Sequence, residues 1–102
     1  MKILLVCAAG MSTSLIVEKM KKSLKPEEAD SAIVAVPVEE FESLVKDYDV
    51  VLLGPQIRYK KVEFEAIAKK HNIPLDVINT MDYGLVKGDK ILDHARKLYN
   101  SR

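Results

Sequence analysis

The stretch KILLVCAAGMSTSLIVEKM, residues 2–20, decides the fold class. Its first part, from Ile3 to Val6, is a short continuous apolar run, which is the pattern of a strand buried on both faces of a sheet. Apolar residues then recur at the spacing of a helix, which Pro26 ends. The apolar positions of this predicted helix are Leu15, Ile16, Met20 and Leu24. A loop of small residues separates the predicted strand from the predicted helix.

The rest of the chain continues this alternation. Apolar runs predict three further strands, at residues 32–36, 50–53 and 75–78. Helical spacing predicts three further helices, with apolar positions at Phe41, Leu44, Val45 and Tyr48, at Tyr59, Val62, Ala66 and Ile67, and at Ile91, Leu92, Ala95 and Leu98. Residues 79–88 are predicted to form a loop. The alternation predicts a single α/β domain over residues 1–102, a doubly wound four-stranded parallel sheet with helices on both faces.

Composition narrows the classes of function. The chain has 16 Lys and Arg against 15 Asp and Glu, and these charges are interspersed, so we expect no nucleic-acid partner. One cysteine excludes an internal disulfide, and two distant histidines with that cysteine give no metal-ligand spacing. We therefore expect no metal and no cofactor. The first apolar run is too short for a signal peptide or a membrane span, which predicts a cytoplasmic protein.

The loop after the first strand is the place to expect chemistry. In open parallel sheets, ligands bind outside the carboxyl ends of the strands, and the first strand of a doubly wound sheet is normally central. Gly10 and the small residues around it allow successive backbone N–H groups to point at one place, and the next helix adds its positive end. Three hydroxyl residues, Ser12, Thr13 and Ser14, can add donors or simply cap the helix. Together these features predict a site for a phosphate dianion.

Cys7 stands at the start of this loop. Positive potential there favours a thiolate, which can attack phosphorus in line and form a phosphocysteine. The alternative is that Cys7 is a small buried apolar residue at the end of a strand. The glycine and the three hydroxyl residues that follow it favour the catalytic interpretation.

Three stretches resemble one known family. Residues 7–17, residues 51–57, and Tyr83-Gly84 followed by Gly88 are similar to the corresponding stretches of lactose/cellobiose/chitobiose IIB components of the bacterial sugar phosphotransferase system. The resemblance covers the full length and is closest to the cellobiose and chitobiose branch. It implies that Cys7 is the catalytic nucleophile. It also implies a phosphate-binding loop of Ala8, Ala9, Gly10, Met11, Ser12, Thr13 and Ser14.

The resemblance further implies the partners. A phosphohistidine of enzyme IIA donates the phosphoryl group, and the acceptor is a β-linked disaccharide that enters through the membrane-embedded enzyme IIC. We expect a monomer that meets the inner face of the membrane transiently. The sequence does not show which sugar is phosphorylated.

Three other functions remain open at this point. Low-molecular-weight tyrosine phosphatases share this fold type, but they carry an arginine six residues after the cysteine, where this chain has Thr13. Without that arginine, the loop can hold a phosphocysteine but is poorly equipped to hydrolyse it. Thiol redox chemistry within one chain would require a second cysteine. A flavodoxin-like binding module would hold the phosphate of a cofactor, and Cys7 would then be incidental.

Residues on later loops are weaker candidates. Gln56 follows Gly54-Pro55 and either belongs to a plain turn or offers a donor to the phosphate at the rim of the site. Tyr83 is a second possible rim residue, and a role for Asp82 beside it is left open. The stretch from Arg58 to Lys61 is either a solvated helix start or a docking surface. His71 and His94 are interpreted as structural.

Overall fold

A computed structural model of the chain describes residues 1–8 and 11–101, without the side chains of residues 11–13. Four parallel strands form one sheet in the order β2-β1-β3-β4. The strands are β1 (Lys2–Cys7), β2 (Ala32–Pro37), β3 (Val50–Leu53) and β4 (Leu75–Val77). The predicted four-stranded parallel sheet is confirmed, and β1 lies inside it as expected.

The helices differ more from the prediction. They are α1 (Met11–Lys22), α2 (Phe41–Leu44), α3 (Lys61–Lys69), α4 (Thr80–Gly84) and α5 (Gly88–Asn100). Short 3₁₀ turns lie between them, at Pro26–Glu28, Val38–Glu40, Val45–Asp47 and Pro55–Lys60. In the part of the chain that is described, no helix combines the length and the apolar composition of a membrane span.

Two hydrophobic cores lie on opposite faces of the sheet. On β1, Ile3 and Leu5 belong to the core that α1 and α5 cover, whereas Leu4 and Val6 belong to the core that α2 and α3 cover. All four side chains are at most 1% exposed, which explains the continuous apolar run in the sequence. The sheet is therefore covered by helices on both faces, as predicted for a doubly wound fold.

The strand order creates a switch point beside β1. The chain leaves β1 toward β2 at one side of the sheet and later returns to add β3 at the other side. Loops that leave β1 and β3 in opposite directions open a crevice between the two carboxyl ends. Cys7 ends β1 and Gly54 follows β3, so these two residues flank the crevice.

The predicted loop over residues 79–88 is wrong, because it contains α4. Asn79 caps this helix, and its Oδ1 accepts hydrogen bonds from the backbone N–H groups of Met81 (2.9 Å) and Asp82 (3.1 Å). A helix of five residues is too short to show a period in the sequence. An asparagine followed by an aspartate three residues later was the available signal.

Two other helix predictions also need correction. The predicted helix from Phe41 to Tyr48 is broken, because only α2 is α-helical there and 3₁₀ turns flank it. In α3 the buried side chains are Phe64 and Ala68, whereas Val62 is 83% exposed. The predicted apolar face of this helix was therefore in the wrong register.

Candidate functional site

Cys7 is the last residue of β1, and its side chain is only 2% exposed. Its thiol donates a long hydrogen bond to the carbonyl of Val36 on the neighbouring strand, with 3.9 Å between sulfur and oxygen. The sequence places Cys7 at the start of the loop, and the structure shows that its side chain is buried. Burial alone also fits a small apolar residue, so a catalytic role depends on what surrounds the thiol.

Helix α1 begins four residues after Cys7, at Met11. Its first turn contains no acidic residue, and Lys19, Lys21 and Lys22 lie in its last turn. No acidic side chain in the first turn therefore neutralises the positive end of the helix dipole, near the loop, and the lysines of the last turn complement its negative end. This arrangement favours an anion beside Cys7.

The structure describes only part of the predicted phosphate loop. Ala8 and Ser14 are exposed. Ala9 and Gly10 lie outside the described residues, as do the side chains of Met11, Ser12 and Thr13. The contacts of all these residues with a phosphate stay predictions.

Gly54 brings the loop after β3 against Cys7. Its N–H donates to the carbonyl of Val6 at 2.8 Å, which continues the β1–β3 pairing. A Cβ on Gly54 would lie 3.6 Å from the Cβ of Cys7 and 2.8 Å from Oε1 of Gln56. The side chain of Gln56 therefore folds back over Gly54 on the side where Cys7 lies. The position of Gln56 at the rim of a phosphate site and its hydrogen bond to a phosphate stay predictions.

Tyr83 and Asp82 do not share one environment. Tyr83 is 8% exposed and packs in the core between the sheet and helices α1 and α5. A direct role for it at the rim stays a prediction. Asp82 is half-buried and lines a polar cleft with Asn79, Asp89 and His94.

His94 has a structural partner. Its Nε2 lies 2.9 Å from Oδ2 of Asp76, and the Nζ of Lys61 lies 3.5 Å from the other oxygen of that carboxylate. Partial burial raises the pKa of Asp76, but hydrogen bonds from the N–H of Val77 and from His94 outweigh it and hold the pKa below its usual value. The pair ties α5 to β4, which supports the structural interpretation of His94. His71 is exposed just after α3.

A known protein family matches nearly the whole chain. The model of the family "PTS system, Lactose/Cellobiose specific IIB subunit" matches residues 2–94. The chain belongs to this family. This IIB subunit is thus a sugar-specific phosphotransferase component of the phosphotransferase system, where such subunits work with IIA and IIC partners.

Curated relatives cover nearly the whole IIB subunit. The galactose-specific EIIB component of Lactococcus lactis subsp. cremoris and the cellobiose-specific EIIB component of Lactococcus lactis subsp. lactis are each 41% identical over 103 residues. Each alignment covers 96% of this chain and 95% of the relative. The oligo-beta-mannoside-specific EIIB component of Bacillus subtilis is 39% identical over 97 residues, with 95% of this chain and 94% of the relative covered.

Solved structures confirm the fold of this IIB subunit. The solution structure of the cellobiose-specific IIB component from Borrelia burgdorferi matches with a TM-score of 0.80 and 42% identity, covering 99% of this chain and 93% of that one. The lactose-specific IIB domain from Streptococcus pneumoniae matches with a TM-score of 0.84 over 97% of both chains. At 21% identity, the second match concerns the fold alone.

Proposed function

We propose that Cys7 carries a phosphoryl group between enzyme IIA and a sugar. The donor is a phosphohistidine of IIA, and the acceptor is a β-linked disaccharide of the cellobiose or chitobiose class that enters through enzyme IIC. The observation that carries the proposal is the position of Cys7 in the crevice at the switch point. There it stands between Gly54 and the loop that leads to the positive end of α1.

The transfer occurs in two balanced steps. The thiolate of Cys7 attacks phosphorus, an S–P bond forms, the N–P bond of phosphohistidine breaks, and its electron pair returns to the imidazole. A sugar hydroxyl then attacks the same phosphorus, and the S–P bond breaks. The leaving thiolate or the surrounding water takes up the hydroxyl proton. Backbone N–H groups of the loop would stabilise the charge that develops in both steps.

Two features support a carrier over a phosphatase. Thr13 stands where phosphatases of this fold carry the arginine that clamps the phosphoryl group in flight. In addition, the side chain of Cys7 is 2% exposed, so water has poor access to a phosphoryl group held there. A phosphocysteine that resists water can last until the sugar arrives.

The sugar class rests on the resemblance to the cellobiose and chitobiose branch. The two Lactococcus relatives have the same identity and coverage, yet one is named for galactose and the other for cellobiose. Overall similarity of IIB subunits therefore does not separate these sugars. Growth of a deletion strain on single disaccharides, followed by complementation, tests the class directly.

The carrier role is tested by intact mass after incubation with phosphorylated IIA. We expect the wild-type protein to gain one phosphoryl group and Cys7→Ser to gain none, because a serine hydroxyl is far less ionised than a thiol. Circular dichroism should show the same fold for both, since the change is nearly isosteric. A Cys7→Ser protein that relays phosphate to sugar at the wild-type rate would falsify the proposal. Release of free phosphate by the wild type at the rate of phosphorylation would indicate a phosphatase instead.

A further inference from the structure

A wide groove lies between helix α3 and the segment that leads into β4. Its volume is about 700 Å³, and its apolar lining comes from Val62 and Ala66 on α3 and from Ile73, Pro74 and Leu75 beyond the helix. The side chain of Val62 projects into water at the border of the groove, with 83% of the residue exposed. An apolar side chain so exposed beside an apolar groove marks an interaction surface.

The end of α3 shapes the floor of this groove. Asn72 has a φ of 58°, in the left-handed region that asparagine tolerates directly after a helix. The N–H of Ile73 donates to the carbonyl of Ala68 at 3.0 Å. The N–H of Asn72 donates to the carbonyl of Lys69, also at 3.0 Å. Pro74 cannot continue the helix, so the chain turns into β4. This closed helix end holds Ile73 against α3 and fixes the shape of the groove.

Two charged side chains at the border of the groove have no partner within the described chain. The other charged residues of α3, Lys61 and Glu63, take part in ion pairs at 3.5 Å. Glu65 and Lys69 are exposed and stand one turn apart, yet within residues 1–8 and 11–101 the side chain of neither makes an ion pair or a hydrogen bond. The border thus carries one acid and one base, which gives no net attraction to a nucleic acid or an anionic membrane.

These side chains complement one another across a two-fold axis. If two copies of α3 pack antiparallel, with Glu65 of each copy opposite Lys69 of the other, two equivalent ion pairs form. Val62 lies three positions before Glu65. It then falls opposite the helix end that follows Lys69, beside Ile73 in the groove of the other copy. Ala66 lies next to the axis, where its small side chain allows the two helices to approach closely.

The groove is remote from the crevice that contains Cys7. Leu75 begins β4, so the groove reaches the edge of the sheet at which the strands begin. Cys7 ends β1 and therefore lies at the opposite edge. A second copy that binds to α3 would leave the crevice open.

We propose that two copies of this IIB subunit associate through the groove, as a two-fold symmetric dimer with antiparallel α3 helices. The dimer replaces the monomer expected from the sequence, and it does not depend on the function proposed above. A different partner would have to carry the same apolar and charged side chains in the reverse order, which a second copy does by symmetry. Because α3 has only nine residues, the interface is small, and we expect a dissociation constant of about 10–100 µM.

The association is tested by sedimentation equilibrium of the wild-type protein at about 5–500 µM, a range that brackets this constant. We expect a monomer–dimer equilibrium. Val62→Ser should raise the dissociation constant by about tenfold or more, because symmetry removes the apolar contact twice. Val34→Ser is the matched control, since Val34 is also exposed (37%) but lies on β2, at the far edge of the sheet from β4. It should leave the constant unchanged. A wild-type protein that stays monomeric throughout this range would overturn the proposal.

The ion pairs are tested by exchanging their charges. We expect Glu65→Lys and Lys69→Glu each to raise the dissociation constant by about tenfold or more, because each change places like charges opposite one another twice. An equimolar mixture of these two variants should associate again, since one copy then presents two positive charges to two negative charges on the other. The double variant Glu65→Lys/Lys69→Glu should dimerise as the wild type does. A mixture that stays monomeric would overturn the two-fold arrangement.

Two further outcomes decide where the interface lies. A dimer that persists unchanged in Val62→Ser and in both charge variants would use another surface, and the proposal would be wrong. We expect Val62→Ser to accept a phosphoryl group on Cys7 at the wild-type rate, because the crevice is open in monomer and dimer alike. If the wild-type protein dimerises but is not phosphorylated by IIA, the carrier role fails and the dimer stands. Thermal unfolding of each variant confirms that the fold is retained.

Discussion

At the scale of single residues, Gly54 leaves room for the side chain of Gln56 next to Cys7, although its backbone conformation does not require a glycine. Its φ of −61° and ψ of 146° are open to any amino acid. A Cβ there would meet only the Oε1 of Gln56 closely, at 2.8 Å, and would be in ordinary contact with Cys7 at 3.6 Å. The flexible end of the Gln56 side chain can move away. A methyl group at Gly54 would thus displace Gln56 from the rim and leave the fold intact.

We therefore expect Gly54→Ala to change the free energy of unfolding by less than about 1 kcal/mol. If Gln56 donates to the phosphoryl group, the single-turnover rate of transfer should fall by about tenfold or more in both Gly54→Ala and Gln56→Ala. The double variant should lose no more than either single variant, because both changes remove the same interaction. Additive losses, or a wild-type rate in Gln56→Ala, would show that Gln56 has no such role.

The sequence indicates candidate residues where the motif is local. Cys7 and Gln56 are such candidates, because each stands in a short motif directly after a buried strand. The burial of Tyr83 was not predicted, and the burial of the thiol was given only as the alternative to a catalytic role, because burial depends on contacts between segments that are distant in the chain. Val36 lies 29 residues from Cys7, and nothing in the loop itself indicates that its carbonyl faces the thiol.

At the scale of elements, the close approach of α5 to α1 depends on Gly88. A Cβ on Gly88 would lie 2.5 Å from the carbonyl carbon and from the Cβ of Lys19, and 2.6 Å from the backbone nitrogen of Met20. Backbone atoms cannot yield as a side chain can. Any larger residue at this position must push the two helices apart.

We expect Gly88→Ala to lower the free energy of unfolding by about 1–3 kcal/mol, the range typical of overpacking. Gly84→Ala is the matched control, because nothing lies within 4 Å of a Cβ at that position. It should change stability by no more than about 0.5 kcal/mol. Urea denaturation of both variants measures the difference. Equal stabilities would mean that α1 and α5 can separate without loss.

The wrong face predicted for α3 has a physical cause. Period-based prediction assumes that apolar side chains face the core, and this held for α5, where Ile91, Leu92 and Ala95 are buried. It failed for Tyr59 and Val62, which are exposed. Phe64 and Ala68 carried the correct spacing for α3. Exposed apolar residues thus produce a wrong helical face when the prediction assumes that apolar side chains are buried.

At the scale of the whole molecule, the fold was largely predictable, but the order of the strands was predictable only in part. Continuous apolar runs identify strands that are buried on both faces, and alternation with helices makes the sheet parallel. A central β1 was expected, but nothing in the sequence alone specified that β3, rather than β4, is its second neighbour. That order places Gly54 next to Cys7, so the neighbours of the thiol could not be predicted.

A bidentate ion pair joins parts of the chain that the sheet does not connect directly. On α5, Nε and a terminal nitrogen of Arg96 donate to the two oxygens of Glu28, at 2.8 and 2.6 Å. Glu28 lies in the 3₁₀ turn between α1 and β2, and it also accepts from the N–H of Lys25 at 2.9 Å. The hydrogen bonds from Arg96, and then the one from Lys25, lower the pKa of Glu28 from 4.5 to about 2.

This lowered pKa predicts how stability responds to acid. Glu28 is held as a carboxylate more strongly in the folded chain than in the unfolded one, so its contribution is fully present above about pH 4.5 and is lost as the pH falls toward about 2. Glu28→Gln should remove that part of the acid sensitivity and lower stability at pH 7 by about 2 kcal/mol, since hydrogen bonds to a charged group are lost. Urea denaturation of wild type and Glu28→Gln between pH 2.5 and 7 measures both effects. Glu42→Gln, at an exposed position of α2, is the control. A Glu28→Gln curve parallel to wild type across this range would show that the pair with Arg96 is not what couples folding to pH.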